Sequence, residues 1–291
     1  MKVLVTGANG QLGRCLRDRI AYFGFDAVFT DYGQLDITNF DAVNLFAGQY
    51  CPDVIINAAA YTAVDKAESE YDIAYAVNAE GPHNLALVAS HMNIPLLHVS
   101  TDYVFDGYAT TPYQSDSLTL PQSAYGETKL AGEKLVAEAN DKHIIVRTAW
   151  VFSEYGNNFV KTMLRLGKER DEIKVVADQY GCPTYAGDLA NALLLIVQEL
   201  DRASTYTQYG VFHYCGDLPT SWHGFTRAIV DEAYTQKIIE IKPVVSPIPT
   251  SEYPTQANRP YYSVLCCDDF PVEVGRNWRS SLKYVVEKAS D

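Results

Sequence analysis

Three residues of this chain have types and a spacing that suit proton transfer to a carbonyl oxygen: Thr101, Tyr125 and Lys129. The segment Tyr125-Gly126-Glu127-Thr128-Lys129 opens a predicted helix and places a phenol and an amine one turn apart on the same face. A phenol has an ordinary pKa of about 10, and a neighbouring ammonium group is expected to lower the pKa of Tyr125. A tyrosine tuned in this way can give its proton to a developing alkoxide. The same lysine can hydrogen-bond a nicotinamide ribose.

Polar and small residues follow two of the predicted strands. Ser100-Thr101-Asp102-Tyr103 comes directly after the apolar run Leu96–Val99, at the carboxyl end of a strand, where doubly wound folds bind their ligands. The Thr101 hydroxyl is there a natural donor to a substrate carbonyl. Asn57-Ala58-Ala59-Ala60 ends another strand with small side chains, which lets a cofactor lie close to the backbone. YxxxK alone is common on surface helices, but the three motifs together predict one site.

A glycine-rich turn, Gly7-Ala8-Asn9-Gly10-Gln11-Leu12-Gly13, joins the first predicted strand to the first helix. Glycines at such a junction let the backbone approach a pyrophosphate, and the helix N-terminus offers free N–H groups to the anion. The GxxGxxG spacing differs from the common GxGxxG fingerprint, and a purely structural turn is the alternative. The position of the turn favours dinucleotide binding, with these contacts: Gly7, Gly10, Gln11, Leu12 and Gly13.

Acidic residues follow the second predicted strand. Asp31 stands where a carboxylate commonly binds the ribose hydroxyls of a dinucleotide. No Lys or Arg stands within residues 30–35 to bind a 2′-phosphate, so the sequence favours NADH over NADPH. A loop aspartate that caps a turn is the alternative interpretation. Asp36 and Ile37 come next and are placed to flank the adenine.

Alternating apolar runs and amphipathic stretches in the first half predict the elements that position these motifs. Strands this apolar are buried on both faces, and the helices between them imply an α/β fold with a doubly wound, Rossmann-like parallel sheet. The predicted strands are Val3–Val5, Ala27–Thr30, Val54–Asn57, Pro95–Val99 and Ile144–Arg147. The predicted helices are Leu12–Phe23, Phe40–Gln49, Ala74–Asn93 and Ala124–Ala139.

The pattern loosens after about Trp150. Helices are predicted at Phe159–Gly167, Gly187–Glu199 and Ser281–Lys288, a strand at Val211–Tyr214, and ordered loops over Lys242–Pro260. This shift predicts two parts. Residues 1–152 with about 185–217 would form a dinucleotide-binding domain, and about 153–184 with 218–291 a smaller C-terminal substrate-binding lobe.

Composition and charge exclude several classes of function. The 291 residues are 47% hydrophobic and carry a net charge of -13, which argues against nucleic-acid binding because phosphate contacts need clustered Lys and Arg. The chain begins directly with a strand, and no window has the unbroken apolar length of a membrane span. Six cysteines without CxxC spacing favour reduced thiols. These features predict a cytoplasmic protein that does not bind membranes.

The motifs resemble the extended short-chain dehydrogenase/reductase family over residues 1 to about 288. The more specific segments are similar to a branch of that family that reduces the C4 ketone of a dTDP-linked 4-keto-6-deoxysugar. These segments are Ala59–Glu68, Ser100–Gly107, Arg147–Phe152, Gly156–Phe159, Asp178–Thr184, Thr220–His223 and Arg259–Pro260.

The resemblance implies roles for individual residues. It implies a catalytic set of Thr101, Tyr125 and Lys129, with hydride passing from NADH or NADPH to C4 and the Tyr125 proton to O4. It implies a sugar pocket lined by Val64, Tyr103, Val104 and Trp150, and cofactor contacts from Gly10, Gln11, Leu12, Asp31, Ala58, Ala59 and Tyr61. Arg259 could clamp a diphosphate, although loop arginines are usually exposed. A homodimer is possible.

Some features depart from the branch or leave alternatives open. Cys182 stands where many members carry Arg, and Tyr262 where they usually carry Asn, so these two positions depart from the substrate-binding pattern of the branch. Some relatives dimerise around Mg²⁺, but Glu199 and Glu287 are more simply solvated surface residues, so no metal is predicted. The alternatives are a nucleotide-sugar epimerase or dehydratase on the same fold, or a binding subunit resembling the regulatory subunit of methionine adenosyltransferase.

Overall fold

A six-stranded parallel sheet forms the centre of the molecule in the computed structural model, which describes residues 1–203 and 205–289. The strands are β1 (Lys2–Thr6), β2 (Asp26–Thr30), β3 (Val54–Asn57), β4 (Leu96–Thr101), β5 (His143–Thr148), β6 (Val151–Phe152), β7 (Glu172–Val176), β8 (Tyr180–Gly181), β9 (Thr184–Tyr185), β10 (Gly210–His213), β11 (Thr220–Ser221) and β12 (Val244–Ile248). The sheet order is β10-β5-β4-β3-β1-β2, and every pair in it is parallel. This confirms the predicted doubly wound α/β fold.

Helices cover both faces of this sheet. They are α1 (Gln11–Arg19), α2 (Phe40–Tyr50), α3 (Val64–Ala67), α4 (Tyr71–Tyr75), α5 (Gly81–His91), α6 (Ala124–Ala139), α7 (Phe159–Glu169), α8 (Ala186–Arg202), α9 (Trp222–Thr235) and α10 (Trp278–Lys288). Side chains alternate along β1, so that Val3 and Val5 pack toward α1 and α8 while Leu4 packs toward α2 and α5. Burial on both faces explains why the strands are continuous apolar runs.

A separate hydrophobic cluster forms beside the carboxyl ends of the sheet. It is built by α7, α9 and α10 around the buried Phe225 and Trp278. Strands β7 and β12 pair in parallel at its edge. This cluster lies in the part of the chain where the sequence pattern loosens.

One local prediction is wrong, and another differs from the structure in its detail. The stretch Lys242–Pro260 was predicted as loops, but it contains the strand β12. This strand pairs only with β7 and includes Pro247, and a proline within an apolar run argues against a strand in the sequence pattern. The helix predicted at Ala74–Asn93 begins at Tyr71 and passes through a π turn at Ala76–Glu80. Pro82 follows this turn, and a proline inside a helix cannot donate its usual backbone hydrogen bond, which is a common cause of such irregularity.

All six cysteines are unpaired thiols. Over residues 1–203 and 205–289, none of the helices has the length and apolar character needed to cross a bilayer.

Candidate active site

A cavity of about 800 Å³ runs along the carboxyl ends of the central strands. It brings together most of the residues that the sequence predicts for the site. These are Gly7, Gly10, Gln11, Leu12, Asp31, Asp36, Ile37, Ala58, Ala59, Tyr61, Val64, Thr101, Tyr103, Tyr125, Lys129, Trp150 and Arg259. The cavity therefore joins the glycine turn, the proton-transfer residues and the predicted sugar pocket in one space.

Two predicted contacts do not line this cavity. Gly13 faces the turn itself, because a Cβ there would lie 2.3 Å from the Gly7 carbonyl oxygen. Its role in the structure is therefore close packing of helix against turn. The Val104 side chain is fully buried in a core cluster with Phe105 and Tyr113, so the prediction that it lines the sugar pocket is wrong.

Helix α6 carries Tyr125 and Lys129 into the cavity. Its N-cap is Ser123, whose hydroxyl accepts a hydrogen bond from the Gly126 N–H at 3.2 Å. Gly126 is required by packing, since a Cβ there would lie 2.3 Å from the Tyr103 carbonyl oxygen. This close approach places the Tyr125 phenol near the Thr101 hydroxyl, which acts on its pKa. The helix and the segment after β4 thus position the acid and its neighbour together.

Burial raises the pKa of Tyr125 above its ordinary value, and the hydrogen bond with Thr101 offsets this only in part. The expected lowering of this pKa by Lys129 is therefore wrong for the protein without ligand. The Lys129 ammonium points instead to the Val99 carbonyl oxygen at 2.7 Å and to His98 Nε2 at 3.4 Å. Burial lowers the pKa of Lys129 to about 8, opposed by the charge of Glu133.

Asp102 is a buried carboxylate in the cavity that the sequence analysis did not single out. Burial raises its pKa to about 6. Its Oδ1 accepts a hydrogen bond from the Thr101 hydroxyl at 3.1 Å, while Oδ2 has no hydrogen-bond partner among the described residues, although Ser263 lies nearby. Ser100 Oγ and Thr148 Oγ1, also on the cavity, are likewise buried and unpartnered. Buried polar atoms are normally paired, so these three atoms mark a surface built for a polar ligand.

The glycine turn has the features that a dinucleotide pyrophosphate requires. Gly7 has φ 69° and would place a Cβ 2.5 Å from the Ala59 backbone nitrogen, so only glycine fits where β1 meets β3. Among the residues that the structure describes, no side chain caps the N-terminus of α1, and its first turn carries no acidic residue. Its N–H groups and positive dipole end are therefore available to an anion. The turn fits the cofactor that its motif predicts.

The end of the cavity beyond β2 is acidic and lacks a cation. Asp31 Oδ1 accepts a hydrogen bond from the Tyr32 N–H at 2.8 Å, and the Gln34 side chain accepts one from the Asp31 N–H. Among the described residues that line the cavity, Lys129 and Arg259 carry the only Lys or Arg side chains, and both belong to the other end. Within the described part of the chain, no lysine or arginine lines the cavity at the Asp31 end to meet a 2′-phosphate.

Two tryptophans form a wall at the opposite end. The Trp150 and Trp222 rings stack with centroids 3.5 Å apart, and Trp150 adopts an unusual φ of 48°. Trp222 and Asn157 line the cavity but were not predicted as site residues. Both come from the irregular second half, whose motifs identified the segments without indicating which side chains reach the cavity.

Arg259 also lines the cavity. Its guanidinium donates to Asp65 Oδ2 at 2.8 Å and to the Tyr103 hydroxyl at 3.3 Å. The predicted loop arginine is thus largely held by protein partners, and it can exchange Asp65 for a phosphate oxygen of an arriving ligand.

The glutamates considered as metal ligands lie on the surface. Glu199 on α8 is exposed and pairs with Arg202 at 3.7 Å, and Glu287 is exposed on α10. Within the described ranges, His, Cys, Asp and Glu side chains form no group of three that could hold a metal ion.

The chain is similar to known proteins in both sequence and structure. The family model described as RmlD substrate binding domain matches residues 1–290. A dTDP-4-dehydrorhamnose reductase of Aggregatibacter actinomycetemcomitans is 46% identical over 288 residues, with 98% of each chain covered. The crystal structure of a dTDP-4-dehydrorhamnose reductase from Clostridium acetobutylicum superposes with a TM-score of 0.91 at 44% identity, covering 99% of both chains. That of the Bacillus anthracis enzyme in complex with NADP gives 0.87 at 38% identity, again over 99% of both. Since the family model covers residues 1–290 and these relatives match over nearly their whole length, the chain belongs to the RmlD substrate-binding-domain family.

Proposed function

We propose that this protein reduces the C4 ketone of dTDP-4-dehydro-6-deoxy-L-mannose (dTDP-4-dehydrorhamnose) to give dTDP-L-rhamnose. The observation that carries the proposal is that the Tyr125 phenol and the Thr101 hydroxyl line the same cavity as the glycine turn at the N-terminus of α1. The full-length relatives named for this reaction support the choice of substrate.

The residues around Tyr125 suit the reductive direction. When bound, reduced nicotinamide supplies the hydride that adds to C4. A carbonyl that gains hydride needs a proton at oxygen, and Tyr125 holds one because burial raises its pKa. The Thr101 hydroxyl donates to the same oxygen and stabilises its developing negative charge. Lys129 binds the ribose and faces the phenolate that the transfer leaves behind.

We further propose how the two parts of the chain share the ligands. Residues 1–152 with about 185–217 bind NADH or NADPH, and residues 153–184 with 218–291 bind the sugar nucleotide, although residues 290 and 291 lie outside the described part. Val64, Tyr103 and Trp150 surround the sugar, and Arg259 binds its diphosphate. The acidic end at Asp31 favours NADH. The reaction and its soluble substrate fit a cytoplasmic enzyme, and a homodimer remains part of this proposal.

The direct test is the loss of reduced-nicotinamide absorbance with enzymatically prepared dTDP-4-dehydro-6-deoxy-L-mannose, with NADH and NADPH in parallel. We expect oxidation that depends on the substrate and yields dTDP-L-rhamnose. Folded protein that oxidises neither cofactor would contradict the proposal. Tightly bound NAD without net oxidation would favour an epimerase or dehydratase, and copurification with a methionine adenosyltransferase would favour a binding subunit.

A further inference from the structure

The backbone of Trp150 is strained at a place where no helix end explains the strain. Among the described residues, four other than glycine have a positive φ. Three of them, Cys51, Asn93 and Lys237, lie just beyond the end of a helix, where a left-handed residue is an ordinary cap. Trp150, with φ 48°, lies instead between β5 and β6. A bulky residue rarely adopts this conformation, so its surroundings must hold it there.

One backbone hydrogen bond and two packing contacts surround Trp150. Its carbonyl oxygen accepts a hydrogen bond from the Thr184 N–H at 3.2 Å. Its indole stacks on that of Trp222, with centroids 3.5 Å apart and ring planes 6° apart. Gly181 lies against the same indole, because a Cβ there would be 2.5 Å from Trp150 Cε2 and 2.6 Å from Nε1. The φ of Gly181 is not positive, so the indole, and not the backbone conformation, requires a glycine at this position.

The two residues that contact the indole belong to one small sheet and the helix that follows it. Strands β8 and β11 pair antiparallel, with Gly181 opposite Thr220, and Trp222 opens α9 directly after β11. The Trp222 ring also contacts Phe159, with centroids 4.5 Å apart, and packs on the hydrophobic cluster of α7, α9 and α10. Close-packed cores deform little, so this cluster gives the Trp150 indole a firm surface to rest on.

We propose that Trp222 and Gly181 are positioning residues that hold Trp150 in its strained conformation and so fix its indole as a wall of the sugar pocket. The indole is part-exposed and lines the cavity. A wall that is ordered before the ligand arrives spares the ligand the entropy of ordering it, which strengthens binding. The identity of the ligand as a sugar nucleotide rests on the proposed function, whereas the contacts around Trp150 do not.

Unfolding in urea tests the strain at position 150 without any substrate. Glycine normally gives a less stable protein than alanine, but at a positive φ the order reverses because glycine has no Cβ. We expect Trp150→Gly to unfold at a higher urea concentration than Trp150→Ala. The control is the exposed Leu45 on α2, where the alanine variant should be the more stable of the two. Equal stability of the two Trp150 variants, or a more stable alanine variant, would overturn the proposal.

Addition of a single methyl group tests the contact at Gly181. Gly181→Ala places this methyl group against the Trp150 indole and should lower the urea midpoint. In Trp150→Ala the atoms that the methyl group meets are gone, so the same change should have little effect. Gly48→Ala, where the Cβ meets nothing within 4 Å, is the control and should act equally in both backgrounds. A Gly181→Ala protein that folds only together with Trp150→Ala would support the proposal, and an equal loss of stability in both backgrounds would refute it.

A double-mutant cycle with the sugar nucleotide tests the role of Trp222. Trp222→Leu removes the stacked ring and should raise the KM for dTDP-4-dehydro-6-deoxy-L-mannose about three- to tenfold. Trp222→Phe keeps a ring and should have a smaller effect, and the KM for NADH should change in neither variant. In Trp150→Ala, Trp222→Leu should raise the sugar KM no further. Additive effects would show that Trp222 acts on the sugar independently of Trp150, which would overturn its positioning role.

The same cycle, measured by urea unfolding without ligand, separates this proposal from the proposed function. We expect the losses of stability from Trp150→Ala and Trp222→Leu to be less than additive, because either change alone removes the stacking. A protein that shows this coupling but does not reduce the sugar nucleotide would contradict the proposed function only. Additive losses of stability would overturn the role of Trp222, whatever the substrate is.

Discussion

At the scale of single residues, the active end of the cavity is a set of groups whose pKa values are shifted toward their neutral forms. Burial raises the pKa of Tyr125, lowers that of Lys129 to about 8 and raises that of Asp102 to about 6. Each shift favours the neutral form, because a low-dielectric site penalises charge. Such a site holds a transferable proton on the phenol and leaves the charge to develop on the substrate oxygen.

Replacing Tyr125 with Phe tests the proton donor. The ring and its edge contact with Tyr103, at 5.5 Å between centroids, are kept, and only the hydroxyl is lost. We expect kcat to fall about 10²–10⁴-fold, while NADH still binds with its original affinity. Stopped-flow turnover and NADH titration measure the two quantities. Turnover close to that of the unmodified enzyme would contradict the role of Tyr125.

Replacing Asp31 with Asn tests the choice of cofactor. The amide oxygen can still accept from the Tyr32 N–H, but the negative charge facing a 2′-phosphate is gone. Relief of this repulsion is worth about 1 kcal/mol, so kcat/KM for NADPH should rise roughly fivefold while that for NADH does not. Asp41→Asn, exposed on α2, is the matched control. An equal effect of both substitutions on NADPH would count against Asp31.

At the scale of elements, the glycine turn and the second half of the chain are tied by one side chain. Gln11 Oε1 accepts from Ser153 Oγ at 2.9 Å and from Asn158 Nδ2 at 3.0 Å, and its Nε2 donates to the Val151 carbonyl oxygen. Asn158 is in turn the N-cap of α7. The backbone of Gln11 lies in the predicted pyrophosphate-binding turn. The Gln11 side chain therefore connects the predicted cofactor contacts to the N-terminus of α7.

Replacing Gln11 with Ala should therefore affect stability and cofactor binding together. Three hydrogen bonds are lost, which we expect to reduce the free energy of unfolding by about 1–3 kcal/mol. The KM for NADH should also rise, because the glycine turn loses its hydrogen bonds to the second half of the chain. Urea unfolding and initial-rate kinetics measure both, with the exposed Gln49→Ala as control. A stable variant with an unchanged KM would show that the hydrogen bonds of the Gln11 side chain contribute neither to stability nor to cofactor binding.

The elements of the sheet were predictable, whereas the partners across the cavity were not. Helix α6 was predicted with its observed bounds, Ala124–Ala139, and its N-cap in the structure is Ser123. Strands β7 and β12 went unpredicted because each has only one partner and β12 contains Pro247. Asn157 and Trp222 reach the cavity only through the packing of α7 and α9, which no local pattern encodes. Val104 lies in the right motif but points into the core.

At the scale of the whole molecule, the cavity lies between two bodies of hydrophobic core. One contains the sheet with α1 and α8, and the other contains α7, α9 and α10. Arg259 reaches from the late part of the chain to Asp65 beside the sheet. A ligand that replaces Asp65 at this guanidinium would join the two bodies.

Replacing Arg259 with Lys tests this bridge. Lysine keeps the charge but cannot make two parallel hydrogen bonds to a diphosphate. We expect the KM for the sugar nucleotide to rise about tenfold, from the loss of one charge-assisted hydrogen bond, and the KM for NADH to stay unchanged. The exposed Arg170→Lys is the control. An equal rise in both KM values would indicate a general structural defect.

The stacked tryptophans give the protein an intrinsic spectroscopic probe of its cavity. Two of its three indoles lie face to face on the cavity wall, one following β5 and the other opening α9, while Trp278 is buried in the core. Indole emission overlaps the absorption of reduced nicotinamide, so a cofactor beside this wall would quench it by energy transfer. Exciton coupling between the two rings would give a near-ultraviolet dichroism that depends on their stacking. Occupation of the cavity can thus be followed in the unlabelled protein.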